Sequence, residues 1–161
     1  MLMTLVSSAF SHGGCIPSRY TCDGENISPP LSIFGAPDET VSFALITYDP
    51  DIPKELYPPG STFDHWTVFN ISPDIAEIHE GENIGTQGKN GVGKNGYTGP
   101  CPPPQYAPKE HRYFFTLYAL NATLSLKEGA TKDEVFSEMQ GHILAKAELM
   151  GRYAREKSVS L

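Results

Sequence analysis

Apolar residues recur along this chain in two rhythms, and each rhythm predicts a different element. Val41–Tyr48 is nearly continuous in apolar residues, the pattern of a strand buried on both faces. Asp64–Ile71 alternates, with Trp66 and Val68 on one face and His65, Thr67 and Phe69 on the other. His111–Leu120 is dominated by aromatic and β-branched residues, which favour a pleated, half-buried surface. It predicts a third long strand whose entry presents His111 and Tyr113 on one face. Met1–Phe10 reads as a first strand. Ile27–Ile33 reads as a short edge strand, because Pro29 and Pro30 cannot donate to a central ladder.

The period changes near the C-terminus. Thr131 and Glu134 have the spacing of a capping box, and Val135, Phe136 and Met139 follow at helical spacing. Gly141 interrupts, and His142–Met150 predicts a second helix with Ile143, Leu144 and Ala147 inward. Gly151 ends it, and Arg152–Arg155 forms a last short strand. Between the periodic segments lie turns at Gly13-Gly14, Asp23-Gly24 and Ala36-Pro37, and a proline-stiffened turn at Asp49-Pro50-Asp51-Ile52-Pro53. His79–Gly99 has no apolar period and many glycines, the signature of a functional or disordered loop. Within it, Gly88–Asn95 fits a phosphate-binding Walker loop except at Asn95, where Ser or Thr should hold magnesium. With no clear strand before it and no helix after it, a nucleotide site is rejected.

Composition narrows the picture. A chain of 161 residues is read as one domain, 1–161, long enough to bury a core. Its 14 prolines and 15 glycines suit a loop-rich, mainly β protein. A net charge of −7 argues against broad binding to nucleic-acid phosphates. No apolar stretch approaches the length of a transmembrane segment, and the start lacks a basic region before its apolar residues; a cytoplasmic location is expected. Cys15, Cys22 and Cys101 contain no C-x-x-C pair, which disfavours a structural zinc site. They allow three disulfide pairings, among which the residues do not choose.

The polar residues of interest stand at strand ends: Asp49 and Asp51, then His65, then His111 and Tyr113. If the three strands are neighbours, these side chains meet at one rim, with the Thr98–Pro104 loop, which carries Gly99, Pro100, Cys101 and Pro102, as a wall. Histidines, a phenol and loop amides left bare by glycine form a seat for a small anion. The competing reading is a hydrolase in which His65 or His111 is a general base oriented by Asp49. No nucleophile elbow or H-E-x-x-H motif accompanies it, and Cys101, flanked by prolines, reads as a wall residue. A metal held by Asp49, His65 and His111 is chemically allowed.

Asp49-Pro50-Asp51-Ile52-Pro53, Asp64-His65-Trp66, Gly99-Pro100-Cys101-Pro102-Pro103 and His111-Arg112-Tyr113 occur in an order that resembles the phosphatidylethanolamine-binding proteins, in particular the bacterial and archaeal Raf kinase inhibitor-like branch. Tyr20–Gly24, Ser28–Leu31 and Gly141–Gly151 are similar to that branch as well, so the likeness spans nearly the whole chain. The resemblance implies an antiparallel Greek-key β-sandwich with short C-terminal helices. It also implies a pocket for phosphate, a carboxylate anion or phosphorylethanolamine, lined by Asp49, His65, His111 and Tyr113, with amides near Cys101. It implies a cis peptide in the Asp49–Pro53 turn, with Ile52–Pro53 the candidate, and places Cys22 near Cys101. No cofactor or obligate metal is implied. A kinase or protease partner and a homodimer are expectations of the same kind. Together these readings favour a non-catalytic binding module.

Overall fold

The computed structural model describes residues 2–155; Met1, the first residue of the expected first strand, lies outside them. The strands are β1 (Thr4–Val6), β2 (Leu31–Phe34), β3 (Ser42–Asp49), β4 (Phe63–Ile71), β5 (Glu77–Ile78), β6 (Thr86–Gln87), β7 (Glu110–Leu120) and β8 (Ile143–Ala154), with one α-helix, α1 (Lys132–Met139), and a single 3-10 turn at Ser18–Tyr20. They form a three-stranded sheet ordered β1-β2-β5 and a five-stranded sheet ordered β6-β4-β3-β7-β8. All pairings between these strands are antiparallel. Within the larger sheet, β7 returns beside β3 after β4 and β6, giving the β7-β3-β4-β6 order of a Greek key.

The continuous apolar run of β3 is explained by its place: it is the central strand, and both of its faces are covered. Phe43 and Leu45 face the smaller sheet in a core with Leu5, Leu31, Ile33, Ile78, Trp66, Val68, Phe115, Leu117 and Leu149. Ala44 and Ile46 face the other way and pack with Phe69, Leu120, Val135 and Met139. Each large side chain buried this completely contributes about 1.5–3 kcal/mol relative to exposure. The capping box at α1 forms as expected, with the Thr131 side chain accepting from the Glu134 backbone N–H and the Glu134 side chain accepting from that of Thr131.

Several expectations are corrected. Leu31–Phe34 is the middle strand of its sheet, not an edge, because the two prolines precede the ladder instead of lying in it. The second C-terminal helix is absent: Ile143–Ala154 is one continuous strand paired along β7. Its helix-forming Ala, Lys, Glu and Leu residues also alternate, with Ala147, Leu149 and Gly151 buried and Lys146 and Glu148 exposed, and pairing along β7 overrides local propensity. The long loop of residues 79–99 is tied down. Gly88 N–H donates to Thr67, Lys89 N–H to Ala130 and Gly91 N–H to Asp64. Asn90 Oδ1 accepts from the N–H groups of Val92 and Lys94, so the Walker-like segment spends amides on its own turn.

Candidate functional site

The three strand mouths do meet. Asp49 ends β3, His111 and Tyr113 enter β7, and His65 enters β4, and all four side chains line one cavity of about 190 Å³. That is smaller than a drug-sized pocket and holds roughly six waters. Gly99, Cys101 and Pro102 line it too, whereas Pro100 and Asp51 do not. Asp51 turns outward and makes a two-point ion pair with Arg112, at 2.8 and 2.9 Å, which holds its carboxyl below the usual range. Thr98 and Pro103 of the expected wall loop line it as well, and the wall also includes Ile52, Pro53, Leu56, Tyr57, Phe63 and Val92, which were not anticipated. Only the apolar character of the 52–63 segment hinted at them. Leu56, Tyr57 and Val92 are 54%, 43% and 56% exposed, so the mouth is apolar.

His65 arrives by a break in strand register. Simple alternation puts it on the face of Thr67 and Phe69, away from Asp49. The β3–β4 pairing instead steps from Thr47↔Trp66 to Tyr48↔Asp64, one residue on β3 against two on β4. His65 is the extra residue of this β-bulge, which turns it to the same side as Trp66. A second break between Phe43 and Leu45, near Asn70 at φ 53°, brings Ile71 to the face of Trp66 and Val68, while Phe69 stays on the helix side as alternation predicts.

The two histidines are held differently. His111 Nδ1 lies 2.6 Å from Asp49 Oδ2, and His111 Nε2 donates to the Pro108 carbonyl at 3.0 Å. A carbonyl only accepts, so Nε2 carries hydrogen, and the short Asp49 contact holds a second proton. The pair is an imidazolium–carboxylate of net zero charge, buried at 1% and 3% exposure. Burial pulls the imidazole pKa down, but the hydrogen bond and charge of Asp49 outweigh it and raise the value overall. His65 Nδ1 donates to the Thr98 carbonyl at 2.7 Å. Its Nε2 has no protein partner among the described residues. Burial lowers its pKa against the opposing pull of the Thr98 carbonyl and Asp49, so the ring is neutral with a lone pair on Nε2.

Tyr113 packs edge-on to His65 and parallel to His111. Its hydroxyl is buried without a partner, and burial pushes its pKa far up, keeping the O–H. An unpaired buried donor is expected to meet a water or ligand. The expectation of bare glycine amides is corrected: Gly99 N–H donates to Asn26 Oδ1 and Gly96 N–H to Gly88. A Cβ at Gly99 would collide with the Tyr20 carbonyl and Asn26, so that glycine serves close packing.

Cys22 and Cys101 form a disulfide with Cα atoms 5.4 Å apart, leaving Cys15 free and exposed. The bond fastens the wall to the turn at residues 21–25, and it removes Cys101 as a thiol nucleophile. The cis peptide bond found is Ala107–Pro108, not Ile52–Pro53; the Asp49–Pro53 turn is closed by the Asp51 N–H donating to Asp49 Oδ1 at 2.7 Å. With both His111 nitrogens engaged, the Asp49, His65 and His111 set leaves no nitrogen on His111 for a metal. Among the described residues no group of three or more His, Cys, Asp or Glu is placed to hold one. Among the described residues no helix is long and apolar enough to cross a membrane.

Fold and cavity define a class: a two-sheet antiparallel β-sandwich with one short helix and an end-on pocket between strand mouths. Comparison narrows it. The model of the phosphatidylethanolamine-binding protein family matches residues 6–154. A UPF0098 protein of Methanothermobacter thermautotrophicus is 48% identical over 95% of this chain and 99% of its own length. The crystal structure of a putative phosphatidylethanolamine-binding protein homolog, CT736 of Chlamydia trachomatis, superposes with a TM-score of 0.90 at 46% identity, covering 96% of this chain and 99% of that one. YbcL of E. coli gives a TM-score of 0.85 at 28% identity over 97% and 100%. The chain belongs to the phosphatidylethanolamine-binding protein family, in its UPF0098/YbcL bacterial and archaeal branch.

Proposed function

We propose that this protein binds a small acidic ligand, a phosphate-like or carboxylate group, in the cavity between Asp49, His65, His111 and Tyr113. One observation carries the reading: Tyr113, with a buried hydroxyl that has no partner, and His65, with a free nitrogen, line the same cavity, whose walls are largely apolar. Few and convergent polar groups in an apolar pocket are what small-ligand sites present. The Asp49 carboxylate, which alone would repel an anion, is neutralised by His111.

The hydrolase alternative loses support. His111 has no nitrogen with which to accept a proton, and Cys101 is bound in a disulfide. His65 could act as a base, yet it is oriented by the Thr98 carbonyl and not by Asp49, and among the described residues no hydroxyl or thiol bonds to it. A second reading, a protein partner at the rim, is favoured by the exposed Leu56, Tyr57 and Val92.

Calorimetric titration of phosphorylethanolamine and inorganic phosphate into wild type, His65→Ala and Tyr113→Phe tests the proposal. Binding to wild type that falls at least tenfold in both variants, each still showing a cooperative unfolding transition, supports it; unchanged binding in both variants sinks it. Location is tested through the cysteines. Rapid alkylation in cells that labels Cys22 and Cys101 fits the proposed cytoplasmic location, and an oxidised pair would favour an oxidising compartment.

A further inference from the structure

We propose that the cavity takes its ligand together with one proton, held between His65 Nε2 and a ligand oxygen, so that its ligand class is the protonated acid and a fully ionised anion enters only with proton uptake. The inference rests on the acidic-ligand reading above and goes further by fixing the ligand's protonation state. Its ground is the donor and acceptor map of the cavity. The Thr98 carbonyl accepts from His65 Nδ1 at 2.7 Å. Moving that hydrogen to Nε2 would set two lone pairs against each other, so the neutral ring presents an acceptor to the cavity. An ionised oxygen placed there meets a lone pair with no hydrogen between them. His111 cannot relieve this, because both its hydrogens are spent on Asp49 and Pro108. Tyr113 offers one hydroxyl hydrogen to the ligand. A second oxygen can then be seated only if the ligand brings a proton or His65 takes one up.

The surroundings decide when His65 does so. Asp49 on β3 favours the imidazolium, and Asp64, the neighbour of His65 on β4, does likewise, partly balanced by Lys132 of α1 at 3.1 Å from it. The His111 imidazolium on β7 opposes it. Tyr113 on β7 keeps its hydroxyl hydrogen because burial raises its pKa, and Tyr57 stands at the mouth. The Thr98–Pro103 wall contributes a carbonyl and a disulfide sulfur but no ionisable group, and the Phe63 ring covers one side of His65. In the empty cavity burial wins and the ring is neutral. A bound anion adds the negative charge that tips the balance toward a proton.

The test is titration calorimetry of the full chain at pH 8 with sodium sulfate, which carries no proton, and with inorganic phosphate, each in two buffers of different ionisation enthalpy. The expected result is uptake of about one proton per sulfate bound, less for phosphate, and sulfate affinity falling about tenfold per pH unit above neutrality. His65→Gln, which offers an N–H that does not titrate, should bind sulfate without proton uptake and with a flat pH profile. Imidazole ¹⁵N spectra of the free protein should show His65 as the neutral Nδ1–H tautomer and His111 as imidazolium. Sulfate binding to wild type without proton uptake overturns the inference and leaves the acidic-ligand reading standing. An imidazolium or Nε2–H His65 in the empty protein overturns it without reference to any ligand. Failure of both anions to bind overturns the two together.

Discussion

His111 and His65 reach the same cavity from strands on opposite sides of β3, yet they are built for different work. The β7 side is closed: His111 is clasped between a carboxylate and a carbonyl, and the ion pair is almost fully buried. The β4 side is open: His65 is anchored through one nitrogen and leaves the other facing the cavity. The difference teaches that a buried histidine is defined by its acceptors more than by its exposure, since both rings are equally hidden. On the β7 side the charge belongs to the fold. On the β4 side it waits for a ligand.

The largest test of this contrast is stability. Asp49→Ala or His111→Ala strands a buried charge and should lower unfolding free energy by about 3–5 kcal/mol. His65→Ala, which leaves only the Thr98 carbonyl unpaired, should cost about 1–3 kcal/mol. Urea unfolding of the three variants measures both, and equal losses would erase the distinction. Next, Cys22→Ser with Cys101→Ser should cost about 2–4 kcal/mol by freeing a long loop in the unfolded chain. The Thr98 anchor lies on that wall, so the ¹⁵N shift of His65 should move in the double variant while that of His111 stays put.

Smaller still is the pH dependence, in which the two histidines have opposite signs. His111, with its pKa raised in the fold, gives stability that is complete below about pH 6.5 and lost as pH rises through its folded value. His65, with its pKa lowered, gives stability present above about pH 6.5 and lost as pH falls. Each limb is bounded at about 1.4 kcal/mol per pH unit. Unfolding measured across pH should show His111→Ala flattening the alkaline limb and His65→Ala the acid limb. The least effect is expected outside the cavity. Arg112→Ala removes a half-exposed ion pair with Asp51 and should change stability by about 0–1 kcal/mol. Ligand affinity in the same titrations should stay within about twofold, because Asp51 does not line the cavity.

Much of this was legible in the residues. The continuous run of β3, the aromatic run of β7 and the capping box of α1 each state their structure locally, through burial on two faces, side-chain fit to a pleat, and paired hydrogen bonds at a helix start. That Asp49, His65, His111 and Tyr113 stand at one rim was readable as polar residues at the ends of apolar strands, but the side to which His65 turns was not. The last strand was not readable in the same way. Ala145–Met150 fits a helix and a strand alike, and pairing with β7 decides. Asp51 shows the limit at the site: two residues from Asp49, it shares its side of an extended chain, but a turn intervenes and Arg112 captures it.

The amino-acid sequence by itself thus determined the strands β3, β4 and β7, the helix cap and the family, because those depend on period, propensity and ordered motifs carried by neighbouring residues. Only the tertiary structure decided that His65 faces the cavity, that Cys22 bonds Cys101, and which histidine nitrogen is left free. The physical reason is the same in each case. A bulge is a mismatch between two strands, a disulfide joins residues 79 positions apart, and a tautomer is set by a carbonyl on another loop. None of these belongs to any one segment of chain.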